Sequence, residues 1–431
     1  MGVKAILRKT PVKKIYTAAK NCLIDLDSAA IGVCRKMKAH KSDVITVVFM
    51  CQYIPAWNKM KPVYEKLKAD KRFKVILLCI PSDITEHVLH SKVNDVYQYF
   101  VSEHYTDAVD ALEKQDGTLR WKSLRQFSPD YVFYGRPYNS YMPAVYTSRS
   151  VARYAKVCLI MYSTNITKFA LDTTINRNFL AYTYIYFATS QELAEINTSR
   201  NKLAHRLGFS HTYDCGLIPM EEILLNKDQP HNSWDWSEKQ IRVMWTPRWT
   251  TDPAIGGSNF FRYKEVLYDY ASRHPEMDFL FRPHPMMWDN FIKTGEITEA
   301  ERDAYISKCN ALGNIRFDSN KEYISTLWST TVLISDISGI MTEFYATGAP
   351  LIFCESDIKM SLFRQGETIM DSCYRVNSEA ELIETLDQIG RNEDPLREKR
   401  ETVVRSMINP DKLPSTVILE HLLADHKGKK K

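Results

Sequence analysis

Three short stretches in the second half of the chain carry side chains suited to gripping a diphosphate. They are Trp245-Thr246-Pro247-Arg248-Trp249, Arg282-Pro283-His284-Pro285 and Ser335-Asp336-Ile337-Ser338-Gly339. Two guanidinium groups offer forked donors, an imidazole can donate to an oxygen or relay a proton, and the hydroxyls sit at a helix start. A plainer reading stands beside each. Ser or Asp at such a turn is commonest as a helix cap. Arg282 can equally be a structural pair partner, and His284 a loop histidine bonded to backbone. The prolines around His284 stiffen its loop and tilt the reading toward function. Glu343, about one turn beyond Gly339, suits a bidentate hold on a ribose diol, or is a solvated helix-face acid. In the first half, Arg136, Tyr138, Tyr141 and Tyr162 stand at expected strand ends. They suit an acceptor bearing phosphate and hydroxyl groups, and tyrosines there also serve as domain-interface filler.

The elements that must position these residues follow from periodicity. Thr331–Glu355 is the organising stretch. Val332-Leu333-Ile334 reads as a buried strand, and Ile340–Thr347 as a helix ended by Gly348, with Pro350 preventing its continuation. Leu351-Ile352-Phe353 begins the next strand. Backbone N–H groups and the positive end of the helix dipole meet at the turn between strand and helix. Earlier in the chain, Val44–Cys51, Lys74–Ile80, Asp130–Tyr134, Lys156–Tyr162 and Ala181–Ala188 are apolar runs expected to be parallel strands buried on both faces. Ala108–Leu112 reads as helical. In the second half, Ile241–Trp245 and Met277–Phe281 are strands and Phe260–Arg273 a helix. The expected organisation is a basic helical segment over 1–42, an acceptor-binding α/β domain over 43–216, a donor-binding α/β domain over 217–405, and a terminal helix with a basic tail over 406–431. Two parallel α/β domains would place their strand ends across a central cleft.

Composition narrows the partners. The 431 residues are 44% hydrophobic with a net charge of +5, enough for two cores and only modestly basic. No run of ~18 apolar residues is present to span a membrane, and no signal peptide is visible. The nine cysteines are scattered, without metal-ligand or disulfide spacing, which fits a reducing cytosol. Asp25-Leu26-Asp27 is the nearest thing to an acidic metal loop and sits in the basic N-terminal segment, so neither metal nor cofactor is expected. That segment interleaves Lys4, Arg8, Lys9, Lys13, Lys14, Lys20, Arg35, Lys36, Lys38 and Lys41 with apolar residues. It reads as a binder of an anionic membrane surface or, with nearly equal claim, as a solvated helix. Nucleic acid is a poorer partner, because the basic patches lack interleaved aromatics.

The stretches WTPRW, SNFFRY, FLFRPHPMMW and NKEYISTLWSTTVLISDISGIMTEFYATGAPLIF together resemble the CDP-glycerol glycerophosphotransferase family of teichoic acid and capsule polymer biosynthesis. PDYVFYGRPYNSYMP and CGLIPMEEIL agree more weakly, and the resemblance spans about residues 44–360. It implies a GT-B fold of two Rossmann-like domains and transfer of a polyol phosphate from a CDP-linked donor to an acceptor hydroxyl, releasing CMP. Such acceptors are usually lipid-linked glycans at the inner membrane face, which implies a cytoplasmic, peripheral protein. His284 is then expected at the donor pyrophosphate with Arg248, and Arg282, Ser335, Asp336, Ser338 and Gly339 at the phosphates. Glu343 is expected at the ribose, and Arg136, Tyr138 and Tyr162 at the acceptor. Two positions depart from the family. Arg248 replaces a histidine, keeping a cation and losing a base. Ile160–Asn165 lacks the family's N-terminal histidine, so the base falls to His284, His104 or Asp107, or the activity differs. A metal-independent glycosyltransferase and a non-catalytic nucleotide-binding protein are the alternatives.

Overall fold

The computed structural model describes residues 11–37, 43–169, 171–228, 233–320, 323–407 and 412–428. They form two compact units. The first contains the described residues up to Ser163, then Leu171–Ile218 and those from Lys412 onward. The second contains 164–169 and the described residues between Pro219 and Met407.

The first unit is built on a seven-stranded parallel sheet: β1 Ile45–Cys51, β2 Phe73–Cys79, β3 Ala108–Asp110, β4 Tyr131–Tyr134, β5 Lys156–Ile160, β6 Ile185–Ala188 and β7 His211–Asp214. The spatial order is β7-β6-β5-β4-β1-β2-β3. Strand order therefore reverses between β1 and β4, the position where open α/β sheets present their crevice. The central strands bury both faces, which explains their unbroken apolar runs. Phe49 and Phe133 stack at 5.0 Å, and Trp57 of the helix Ile54–Lys68 packs edge-on against Phe49. Residues 108–110, expected to be helical, are instead an edge strand paired with β2. The run is too short to hold a helical period, and the free edge beside Leu77–Cys79 supplies its hydrogen bonds.

Two outer helices close this unit. Pro11–Met37 lies within the expected segment 1–42, and the rest of that segment is outside the described residues, as are Lys429–Lys431 of the basic tail. The helix is seated on the first unit. Asp25 pairs with Arg177, Asp27 with Arg149 at 2.8 Å, and Arg35 donates to the Phe209 carbonyl at 3.0 Å. Gly32 permits the approach, because a Cβ there would fall 2.4 Å from the Phe209 ring. Its outward face carries Ile15, Tyr16, Leu23, Leu26 and Val33 in exposed positions. The helix Pro414–Lys427, expected to stand apart, is also part of this unit. Ile418 and Leu422 enter the core, and Asp425 accepts from Tyr184 at 2.6 Å and pairs with Lys156.

The second unit holds a six-stranded parallel sheet: β8 Ile241–Thr246, β9 Met277–Phe281, β10 Ile315–Phe317, β11 Val332–Ser335, β12 Leu351–Cys354 and β13 Tyr374–Val376. Its order is β10-β9-β8-β11-β12-β13, with the reversal between β8 and β11. The helix Phe260–Arg273 covers one face through Phe260, Tyr263, Leu267, Tyr270 and Ala271, at the spacing its sequence prescribes. The organising stretch folds as expected, except that its helix is shorter: Gly339–Phe344 is α-helical and Tyr345–Thr347 tightens into a 3₁₀ turn. Residues 164–169 cross over from the first unit's sequence. Lys168 donates its amide to Ser361, Phe363 donates to Ile166, and a bridge joins Thr167 to Leu362.

Candidate functional site

In the second unit, β9, β8 and β11 are neighbours, so the loops after them share one end of the sheet. Arg248 follows β8, His284 follows β9, and Asp336–Gly339 follow β11. Asp336 is fully buried and organises this end. Its carboxylate accepts from the Arg248 amide at 2.8 Å, from Asn259 Nδ2 at 2.8 Å and from Ser258 Oγ at 3.3 Å. Burial raises its pKa while these donors oppose the shift. With its oxygens occupied, Asp336 shapes the loop and does not present itself to a phosphate. Ser335 is buried as well, accepting from Thr246 Oγ1 at 2.8 Å and donating to the Asp336 carbonyl at 2.7 Å. Ser338 caps the short helix by accepting from the Met341 amide. A Cβ on Gly339 would meet nothing within 4 Å, so the first turn opens to space. Gly256 has φ +85°, and a Cβ there would lie 2.3 Å from Ile337; only glycine lets that loop close against Ile337.

The two arginines of this end differ. Arg282 is engaged: its guanidinium pairs with Asp318, which is 2% exposed, donates to the Asn320 carbonyl at 2.6 Å and lies over the Tyr323 ring. This is the structural-partner arrangement that the sequence also allowed, and it commits both terminal nitrogens of Arg282 to protein partners. Arg248 donates to the Ile337 carbonyl, and its buried Nε has no partner. Burial lowers its pKa, and the nearest opposing charge is Asp336. A guanidinium stays protonated under such a shift, so Arg248 is a cation with donors to spare.

His284 lies close enough to feel that charge. Its pKa is pushed down to about 4, first by burial and then by Arg248. The Met286 amide donates to its Nδ1 at 3.2 Å. The neutral ring therefore carries its proton on Nε2, which makes His284 a donor and removes it as a base. Glu343 is buried and accepts from Tyr323 OH at 2.6 Å. Arg282, Tyr323 and Glu343 thus form one connected row. Asp318, Tyr323 and Asn259 were not singled out from sequence; Asn259 and Tyr323 fall within the quoted stretches SNFFRY and NKEYISTLWSTTVLISDISGIMTEFYATGAPLIF, and Asp318 gave no signal.

The first unit has a counterpart at its own strand reversal. Arg136 follows β4 and donates to Gln52 Oε1 at 3.0 Å, just beyond β1. Its guanidinium lies 4.4 Å from the Tyr53 ring centroid and 5.6 Å from that of Tyr141. Tyr162 meets Tyr53 at 6.2 Å and Tyr138 at 6.5 Å. Burial lowers the Arg136 pKa, and the largest opposing effects come from the tyrosines around it, Tyr53 first. The other proposed bases lie elsewhere. Asp107 precedes β3, at the opposite end of the sheet, and is held by Lys68 at 2.6 Å and Tyr64 at 2.8 Å. His104 belongs to the same preceding loop. Among the described residues no group of three or more His, Cys, Asp or Glu is placed to hold a metal ion. Among the described residues, likewise, no helix is long and apolar enough to cross a membrane.

Neither a family model nor a curated protein sequence matches the chain. Solved structures do, across most of its length. UDP-GlcNAc 2-epimerase from Neisseria meningitidis, bound to UDP-GlcNAc, superposes with a TM-score of 0.60 at 14% identity, covering 88% of this chain and 100% of that one. The putative UDP-N-acetylglucosamine 2-epimerase from Listeria monocytogenes gives 0.57 at 13% identity, over 89% and 97%. The wall teichoic acid polymerase TagF, soaked with CDPG, gives 0.55 at 12% identity, over 98% and 100%. At these identities the likeness concerns the fold, and it establishes that the chain has the GT-B-like α/β architecture of these proteins.

Proposed function

We propose that the protein is a metal-independent transferase that moves glycerol phosphate, or a related polyol phosphate, from a CDP-linked donor to a hydroxyl of a cell-surface glycan or teichoic-acid-like acceptor. The observation that carries this reading is Arg248, a half-buried guanidinium whose Nε has no hydrogen-bond partner and whose charge reaches a neutral His284 that carries its proton on Nε2. A cation and a neutral donor at the strand reversal of a parallel sheet suit a pyrophosphate. The acceptor oxygen attacks the β-phosphorus in line, and the bond from that phosphorus to the bridging oxygen breaks. CMP leaves with the bridging oxygen, and the hydroxyl proton passes to a base. Arg248, His284 Nε2–H and the open turn at Gly339 oppose the charge that gathers on the phosphate oxygens. Glu343 remains the candidate for the ribose hydroxyls, with Tyr323 fixing its carboxylate. Arg136, Tyr138 and Tyr162 are the candidates for the acceptor.

The fold neighbours carry UDP-GlcNAc, UDP or CDPG, so the base is the sharpest question of donor identity. Thermal shift with CDP, UDP and GDP separates the choices, since a ligand that prefers the folded state raises its stability by mass action. Protection by CDP and CMP, with CMP release from CDP-glycerol that is lost in His284→Ala, supports the reading. Protection by UDP alone replaces it with transfer from a nucleotide sugar, and CDP binding without turnover with a binding protein. We also place the acceptor at an anionic membrane surface on the cytoplasmic side, met by the exposed apolar face of the helix Pro11–Met37. Flotation with phosphatidylglycerol vesicles tests that placement.

A further inference from the structure

The transfer needs a group to accept the hydroxyl proton, and neither the 160–165 stretch nor His284 supplies one. We propose that His87 is that base; the proposal rests on the transferase reading above. His87 sits at the tip of a two-stranded hairpin, Ile84–Thr85 with Val88–Leu89, which follows β2 on the crevice end of the first sheet. Glu86 and His87 both have positive φ, 47° and 68°. Two adjacent non-glycine residues in that region are sterically disfavoured and persist only where surroundings hold them.

The surroundings are the acceptor loop itself. The His87 amide donates to the Ser140 carbonyl at 3.0 Å, and its Nδ1 meets the Met142 carbonyl at 2.7 Å. A carbonyl only accepts, so Nδ1 carries the proton and Nε2 is left with its lone pair. This is the reverse of His284, whose Nδ1 accepts and whose Nε2 donates. The loop that fixes His87 also carries Tyr138 and Tyr141, and Gln52 donates to the Tyr141 carbonyl while accepting from Arg136. The side chain is exposed, so Nε2 is open to solvent. Arg136 and the tyrosines hold the acceptor, His87 Nε2 takes the proton of its hydroxyl, the oxygen bonds to the β-phosphorus, and CMP departs.

The test measures CMP release by the full chain from CDP-glycerol with a synthetic glycerol phosphate oligomer as acceptor. Three proteins are compared: wild type, His87→Ala and His87→Asn. Asparagine keeps an N–H at the δ position for the Met142 carbonyl and cannot accept the proton. The expected result is that both variants lose kcat by about 10²–10⁴ and keep the wild-type thermal shift with CDP. Added imidazole restores part of the activity of His87→Ala. Wild-type kcat in either variant overturns the assignment while leaving the transferase reading intact. A wild type that releases no CMP overturns the transferase reading, and the assignment with it.

Discussion

Both units reverse their strand order once and place an arginine beside that reversal, after the fourth strand in the first unit and after the first strand in the second, yet they treat it differently. In the second unit Arg248 is half-buried and tied to a backbone carbonyl, its charge felt by a neutral imidazole, with a carboxylate spent on shaping the loop. In the first, Arg136 is laid across tyrosine rings and tied to a glutamine amide. The first arrangement leaves directional N–H donors for an anion. The second spreads a cation over flat, apolar faces that also accept the carbon side of a polyol or sugar. One topology thus surrounds its arginine in two chemically different ways, and the side chains just beyond the strands decide which.

Four measurements would break or sharpen that contrast. The largest effect is expected at the second unit: Arg248→Ala should lower turnover about 10²–10³-fold, in line with loss of a pre-aimed donor, with unchanged thermal stability in the absence of nucleotide. Arg282→Ala should do the opposite, destabilising the protein by about 3 kcal/mol by leaving buried Asp318 unpaired. Urea denaturation reads this, and if Arg282→Ala left stability intact while abolishing CDP binding, the division between the two arginines would be wrong. Arg136→Gln should raise the acceptor KM about tenfold and leave the CDP thermal shift in place. The smallest effect concerns His284. Its folded-state pKa lies below the unfolded value, so protons bind the unfolded chain more readily. Stability should therefore fall as pH drops from about 6.5 toward 4, with no His284 contribution above that window. His284→Asn should flatten that part of the stability profile.

Much of this architecture was legible in sequence where one element settles its own character. The helix Phe260–Arg273 and the strand Met277–Phe281 have the bounds their periodicity predicts. The three polar stretches after strands do share one sheet end. What sequence leaves unread depends on partners far along the chain. Arg282 looks available until Asp318, on the loop after the neighbouring strand, is brought beside it. Ala108–Asp110 looks helical until β2 offers an edge. Which imidazole nitrogen holds a proton is set by a backbone group, Met286 N–H for His284 and Met142 C=O for His87. No side-chain pattern encodes either contact.

The helix Pro414–Lys427 has a consequence for biogenesis. Its Ile418, Leu422 and Asp425 complete the interior of the first unit. Everything the second unit uses, from 164–169 to Met407, leaves the ribosome sooner. Domains usually mature in the order they are synthesised. Here the half that begins first must wait, with an unfinished interior, until its later-made neighbour has already been translated.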